Sequence, residues 1–102
     1  MESTITEIAF QIILHAGNGK ANAMEAIQEA KSGDFEAADK KITEANIDLR
    51  KAHQFQTKLL QDEANGSNKE ISIILIHAED HLMTSMTVRD LASEMIDLYR
   101  RL

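Results

Sequence analysis

The sequence predicts an all-α protein built from three helices. It has 102 residues with no proline and only four glycines, and it is rich in Ala, Ile, Leu, Glu, Lys, Asp and Gln. This composition favours long helices over a sheet. Two loop-like stretches, Ser32-Gly33-Asp34 and Asn65-Gly66-Ser67-Asn68, divide the chain into three segments with helical apolar spacing. We therefore expect residues 1–102 to form one small domain.

The first segment begins at a capping-box pattern, Thr4-x-x-Glu7. Gly17 and Gly19 interrupt it, and each costs about 1 kcal/mol relative to alanine inside a helix. Two alternatives remain open at this point: a continuous helix that kinks or packs closely at the glycines, or a break in the helix. The apolar stripe that defines the segment consists of Ile5, Ile8, Ile12, Ala16, Ala23, Ile27 and Ala30.

The second segment has an almost pure heptad pattern, which predicts a helix with one narrow apolar seam. One seam position is polar, Gln56, and His53 and Gln54 flank it. The seam consists of Phe35, Ala38, Ile42, Ala45, Leu49, Ala52, Gln56 and Leu59.

The third segment continues the three-and-four spacing and carries a second apolar stripe beside the first. The predicted seam is Ile74, His77, His81, Thr84, Val88, Leu91, Met95 and Leu98. The second stripe is Ile73, Ile76, Asp80 and Met83. A helix that is apolar nearly all round is buried on more than one side. Two flanking helices leave one side uncovered, so we expect other copies of the chain to cover it.

Composition excludes several classes of function. The chain has no cysteine, which excludes disulfides, thiolate metal sites and cysteine nucleophiles. Its formal net charge is −6 with no basic stripe, so nucleic acid and anionic membranes are poor candidates as partners. No run approaches the roughly 20 apolar residues that span a bilayer, and no signal peptide is visible.

His77, Asp80 and His81 form one polar cluster, because residues three and four apart lie side by side on a helix. Three interpretations compete: buried histidines with satisfied hydrogen bonds, a metal site, or a nucleophilic histidine that carries a group. In the third, His81 and Gln56 supply hydrogen-bond donors. Asp80 would repel a phosphoryl group unless it faces elsewhere or a cation neutralises it. Glu79 points to a different face.

Three ordered sequence blocks resemble the lactose/cellobiose family of phosphotransferase-system enzyme IIA proteins. They are His77-Ala-Glu-Asp-His-Leu-Met-Thr-Ser-Met86, Ala52-His53-x-x-Gln56-Thr57-Lys58-Leu59 and Ser32-Gly33-Asp34-Phe35. The resemblance spans essentially the whole chain and is closer to the cellobiose/chitobiose branch. Two positions depart from the family pattern: Glu79 stands where glutamine is usual, and Lys20 where arginine is usual.

The resemblance implies an antiparallel three-helix up-down-up bundle that assembles as a homotrimer of nine helices. It implies a cytoplasmic phosphocarrier that accepts a phosphoryl group from phospho-HPr on His77. The group then passes to the cysteine of enzyme IIB, and the sugar is phosphorylated during import through the membrane enzyme IIC. His81 is the implied supporting residue, with Gln56 in a lesser supporting role. Asp80 is implied to bind a divalent metal, usually magnesium, shared by three subunits at the trimer axis.

Two rival functions remain from the residues alone. One is a metal-binding helical bundle without transfer chemistry, and the other is an inert helical adaptor. Phosphorylation of the chain by a phosphocarrier separates both from the leading hypothesis.

Overall fold

A computed structural model describes residues 4–66 and 72–102, and these residues form three helices. The first, α1, is Ile5–Lys31; α2 is Phe35–Ala64; α3 is Ile73–Arg101. The predicted all-α class and the three segments are confirmed for this part of the chain. None of the three helices is long and apolar enough to cross a membrane.

Local side-chain hydrogen bonds fix the start of α1 and the turn into α2. The Thr4 hydroxyl accepts a hydrogen bond from the Glu7 backbone N–H, as the capping-box pattern predicts. In the turn, Gly33 has a φ of +89°, a conformation that glycine adopts without a steric penalty. The Asp34 carboxylate then accepts from the Ala37 N–H and caps α2.

The second turn follows Ala64, where α2 ends. Gly66 again has a φ of +89°. The remainder of the predicted loop, Ser67-Asn68, lies outside the described residues. The Ser72 hydroxyl accepts from the Leu75 N–H and caps the start of α3.

Helix α1 runs without a break through Gly17 and Gly19, so the alternative of a helix break is wrong. Gly19 is buried at a close approach between α1 and α2. A Cβ atom there would lie 2.8 Å from both Cγ and Cδ2 of Leu49 and 3.3 Å from the carbonyl oxygen of Ala45. The close-packing alternative is therefore confirmed at this glycine.

The order of the interhelical contacts shows how neighbouring helices run relative to each other. Asn22 Nδ2 donates to Asp48 at 2.8 Å, and Lys41 pairs with Glu25 at 2.8 Å, so contacting residues run in opposite order along α1 and α2. They run in opposite order along α2 and α3 as well. The pairs there are Gln56 with Glu79, Asn46 with Arg89, and Asp39 with Arg100.

The predicted seams of α1 and α2 face the core, and small residues dominate it. Alanines at the contact surfaces let the helices approach closely, while a few larger aliphatic side chains fill the space between them. Among the described residues, the fully buried large apolar side chains are Ile8, Ile12 and Leu82.

In the single chain, the predicted seam of α3 is not the face that packs against the other two helices. His77, Leu91 and Leu98 on that seam are exposed. The helix instead turns a face of smaller residues to the core, where they allow close contact with α1. The buried residues of α3 are Ala78, Leu82, Ser85, Ala92 and Ile96. Apolar residues surround this helix, so their spacing alone does not indicate which face is buried.

The second stripe of α3 is exposed in the single chain. Ile73, Ile76 and Met83 are 87%, 59% and 56% exposed, and Asp80 lies among them on the surface. Contiguous apolar surface of this kind marks a site of association. This exposed face, with residues 73, 76, 80 and 83, is called the α3 stripe below.

Candidate functional site

His77 and His81 form a stacked pair on α3. Their ring centroids are 5.9 Å apart and their planes differ by 6°. A spacing of four residues places the two rings one turn apart on the same side of the helix. His77 is exposed, and His81 is half-buried on the side that faces α1. His77 therefore offers an imidazole that an outside group can reach, with a second imidazole beside it.

Two residues contact His81, and sequence reasoning assigned neither of them to the site. A Cβ atom at Gly17 on α1 would lie 3.4 Å from Nε2 of His81, so the histidine ring packs against the glycine backbone. The hydroxyl of Ser85, which is fully buried, donates to the His81 carbonyl oxygen at 2.7 Å. The sequence signal for the second contact is the spacing of four residues, at which a helical serine reaches back to a carbonyl.

The stacked geometry gives little support to a metal ion held by both histidines. Imidazole lone pairs lie in the ring planes, and two nearly parallel rings direct them along separate planes rather than toward one ion. Within residues 4–66 and 72–102, no group of three or more His, Asp or Glu side chains is placed to hold a metal within one chain.

Asp80 lies one turn from His77 but belongs to the α3 stripe. Its carboxylate is exposed, and it makes no ion pair or hydrogen bond with the described residues. One carboxylate from one chain does not make a cation site. Oxygen ligands from several copies suit a hard ion such as Mg²⁺, so the residue fits a shared metal and does not fit a metal held by the monomer.

Gln56 is bonded to Glu79 and not to the histidine pair. Its Nε2 donates to Oε2 of Glu79 across the α2–α3 contact, in a partly buried position. Glu79 is two residues from His77 and therefore points to another side of the helix. Gln56 makes no hydrogen bond to His77 or His81 in the described part of the chain. The sequence correctly predicted that Gln56 faces α3, but it did not identify Glu79 as the hydrogen-bond acceptor.

A cleft of about 340 Å³ lies between α2 and α3. Arg50, His53 and Arg89 line it, together with Asn46, Leu49 and Met86. None of the four residues that the sequence predicts for the site, Gln56, His77, Asp80 and His81, lines this cleft.

Comparison with known proteins places the chain in a family. The sequence model of the lactose/cellobiose-specific IIA subunit of the phosphotransferase system matches residues 7–100. The lichenan-specific phosphotransferase enzyme IIA component of Bacillus subtilis is 52% identical over 102 residues, which cover 100% of this chain and 93% of that protein.

Solved structures agree with the sequence match. The cellobiose-specific enzyme IIA of Bacillus anthracis is 50% identical with a TM-score of 0.94, covering 99% of this chain and 93% of that one. The IIA(Chitobiose) chain in a complex with HPr from the Escherichia coli phosphotransferase system is 37% identical with a TM-score of 0.84, covering 98% and 97%. The expected similarity to the cellobiose/chitobiose branch is confirmed. The chain belongs to the lactose/cellobiose-specific IIA family, whose members are phosphotransferase relay components of the sugar phosphotransferase system.

Proposed function

We propose that this chain accepts a phosphoryl group from phospho-HPr on His77 and passes it to the cysteine of enzyme IIB. The observation that supports this proposal best is the exposed His77 ring with His81 stacked beside it at 5.9 Å. A neutral imidazole is a competent nucleophile near pH 7, and exposure lets a protein donor bring its phosphohistidine to it. The solved complex of a 37% identical IIA chain with HPr supports HPr as the donor.

The transfer exchanges one nitrogen–phosphorus bond for another. A lone pair of the His77 imidazole attacks the phosphorus while the bond between phosphorus and the donor imidazole breaks. The donor ring leaves with that electron pair, and one proton passes in net from the His77 ring to the leaving ring. His81 stabilises the phosphoryl oxygens as a hydrogen-bond donor, a role for which its position one turn away is suitable. In the second transfer, a cysteine thiolate of enzyme IIB attacks the same phosphorus.

The proposal includes a homotrimer of antiparallel up-down-up bundles, nine helices in all. The exposed α3 stripe supports this assembly, because three copies related by a three-fold axis bury the stripe of each. The opposite contact order along successive helices supports the antiparallel arrangement.

Asp80 from each copy would hold a divalent ion, in our proposal Mg²⁺, where the three stripes meet. The ion would supply positive charge that offsets the three carboxylates and has no part in the transfer. Asp80 fits this role because its carboxylate lies free on the surface that the trimer would bury.

For the transported sugar we propose a β-linked disaccharide of the cellobiose, chitobiose or lactose type. The names of the similar proteins, which specify lichenan, cellobiose and chitobiose, support this class. The protein would act in the cytoplasm, linked to the membrane only through enzymes IIB and IIC.

Labelling with radioactive phosphate tests the function directly. We expect that incubation with phosphoenolpyruvate, enzyme I and HPr places an acid-labile, alkali-stable phosphate on the chain, since phosphoramidates have that lability. His77→Ala should abolish the label and leave the helical circular dichroism unchanged. His53→Ala, which removes an exposed histidine outside the pair, is the control and should be labelled normally.

Two results would contradict the proposal. If His77→Ala accepts phosphate at the wild-type rate, the acceptor is another residue. If the unmodified protein takes no label, the chain has no relay function, and the metal-binding bundle and the inert adaptor become the remaining alternatives.

A further inference from the structure

The cleft between α2 and α3 differs in charge from the chain as a whole. The chain has 17 Asp and Glu against 11 Lys and Arg, yet within the described residues no carboxylate lines this cleft. Its lining instead combines guanidinium, amide and imidazole groups with apolar side chains. This site is called the basic cleft below, and its lining residues are Asn46, Leu49, Arg50, His53, Met86 and Arg89.

The hydrogen bonds of Arg89 determine which polar atoms remain available in the basic cleft. Its Nη1 donates to Oδ1 of Asn46 at 2.8 Å, and its Nε donates to Oδ1 of Asp90 at 2.7 Å. Because the Asn46 oxygen already accepts a bond, Nδ2 is the part of this amide that remains for a ligand, together with Nη2 of Arg89. Both groups are hydrogen-bond donors, so the cleft is suited to an acceptor.

Arg50 contributes a second guanidinium group to the basic cleft. It is exposed on α2 and makes no ion pair with the described residues. An anion can therefore bind it without first displacing a carboxylate. The planar fork of arginine matches the oxygen geometry of phosphate, which it binds through two parallel hydrogen bonds. Guanidinium groups from two helices, together with an amide donor, suit the charge of close to −2 that a phosphate monoester carries.

The size of the basic cleft favours an organic phosphate over a free ion. Its volume of about 340 Å³ lies at the lower end of the roughly 300–1,000 Å³ that is typical of small-molecule sites. Leu49 and Met86 give it an apolar part, against which a carbon skeleton can pack. A bare phosphate ion would leave this apolar part without contacts.

The basic cleft and the α3 stripe have no residue in common. Arg89 is six residues beyond Met83 of the stripe, which at about 100° per residue places it about 120° around the helix from that position. Its bond to Asn46 shows that this side of α3 faces α2. The trimer proposed through the α3 stripe therefore does not require the cleft.

We propose that the basic cleft binds a small organic phosphate monoester. Arg50 and Arg89 hold the phosphate oxygens, Asn46 donates through Nδ2, and the carbon skeleton packs against Leu49 and Met86. The site is separate from the transfer on His77, and the proposal does not depend on the relay function.

Isothermal titration calorimetry of the full chain tests the site. Glucose 6-phosphate is the probe, because it joins a phosphate monoester to a carbon ring. Glucose and inorganic phosphate, titrated separately, distinguish an organic phosphate from its two parts. We expect glucose 6-phosphate to bind with a Kd in the millimolar range or below, inorganic phosphate to bind more weakly, and glucose to show no measurable binding.

Two matched pairs of variants identify the contacts. Arg50→Gln should weaken binding by about tenfold or more, the usual loss for a charge-assisted hydrogen bond. Its control is Lys51→Gln, which removes the same charge at an exposed neighbour outside the cleft and should stay within about twofold of wild type.

Asn46→Asp is the second variant and is nearly isosteric. It keeps an oxygen for Arg89 but replaces the Nδ2 donor with a charged oxygen that repels phosphate, so we expect a loss of about tenfold or more. Gln54→Glu adds the same charge at an exposed position outside the cleft and should bind within about twofold of wild type.

Four outcomes would overturn the proposed site. The first is no saturable binding of glucose 6-phosphate by wild type at millimolar concentration. The second is binding of inorganic phosphate as tight as that of glucose 6-phosphate, which would indicate an adventitious ion only. The third is an equal effect in a variant and its control. The fourth is a change of oligomeric state in Arg50→Gln or Asn46→Asp on sedimentation, which would assign the cleft to a subunit interface. Failure of the proposed function is a separate result, because it is read from the label on the chain and not from binding of the probe.

Discussion

At the scale of single residues, His81 is held on two sides, by its stack on His77 and by its packing against Gly17. A ring held in this way can donate to a phosphoryl group on His77 without losing side-chain freedom at the moment of transfer. We expect His81→Ala to keep detectable phosphorylation but to slow it by about 10²–10⁴-fold, the usual contribution of a positioned proton donor. Rapid-quench labelling with phospho-HPr measures the rate.

The outcome for His81→Ala also tests which of the two histidines is the phosphoryl acceptor and which is the supporting residue. Helix content should be unchanged, because the ring is only half-buried. A folded His81→Ala protein that takes no label at all would mean that the two residues have been interchanged. The sequence placed both histidines on the predicted seam of α3, and the structure leaves His77 exposed and His81 half-buried in the single chain.

The hydrogen bond from Gln56 to Glu79 joins α2 to α3 beside the site. We expect Gln56→Ala to lower the free energy of unfolding by about 1 kcal/mol, because Glu79 loses a partly buried donor. Phosphorylation should slow less than in His81→Ala, since Gln56 makes no hydrogen bond to either histidine in the described part of the chain. Denaturant unfolding at fixed protein concentration gives the first quantity and labelling gives the second.

A double-mutant cycle isolates the Gln56–Glu79 bond. Gln56→Ala, Glu79→Ala and the double variant should show a coupling energy of about 0.5–1.5 kcal/mol. Glu79→Gln, which retains an oxygen acceptor, should keep most of the stability and is the control. Additive effects would mean that the bond contributes nothing to the α2–α3 contact, and an unchanged labelling rate in Gln56→Ala would leave Gln56 as a packing residue.

At the scale of the helices, the two glycines of α1 lie in different packing environments. Gly19 is buried where α1 approaches Leu49 and Ala45, and an added Cβ atom would overlap Leu49 at 2.8 Å. We expect Gly19→Ala to lower the free energy of unfolding by about 1–3 kcal/mol through overpacking. That cost exceeds the gain in helix propensity, which is about 1 kcal/mol.

Gly17→Ala is the matched control for this prediction. The nearest atom outside α1 would be 3.4 Å away, an ordinary contact distance, so the added methyl group fits. Its unfolding free energy should rise by about 0.5–1 kcal/mol, because alanine restricts the unfolded chain. If the free energy of unfolding changes in the same direction in Gly19→Ala and Gly17→Ala, close packing is not what distinguishes Gly19 from Gly17.

At the scale of the whole molecule, the charge of Asp80 affects how the proposed trimer can assemble. Two unit charges about 4 Å apart repel by roughly 4 kcal/mol at an effective dielectric constant of 20. Three carboxylates brought together by the proposed trimer would contain three such pairs, which is comparable to the total stability of a small protein. A divalent ion or shared protons must offset this repulsion.

We therefore expect chelators to weaken the trimer, and Asp80→Leu to form a trimer that no longer needs metal. Leucine has a similar volume without charge, and apolar residues often replace a buried ionic cluster without loss of stability. Analytical ultracentrifugation of both proteins with and without chelator is the measurement. A wild-type protein that remains trimeric in chelator, or an Asp80→Leu protein that dissociates to monomers, would exclude the axial metal.

The sequence by itself determined the three helices, their two turns and the group of residues around His77. These features depend on interactions within a few residues, such as the capping of α2 by Asp34 and the spacing of four between His77 and His81. Local geometry of this kind follows from residue type and separation along the chain.

Only the tertiary structure decided which face of α3 is buried and what surrounds the histidine pair. Apolar residues lie on nearly every side of α3, so hydrophobic burial alone does not select a face. Close contact with α1 selects the side with small residues, Ala78, Ser85 and Ala92, and leaves His77 exposed. The packing of His81 on Gly17 and the bond between Gln56 and Glu79 join residues that are distant in sequence, and they exist only because the helices pack in this register.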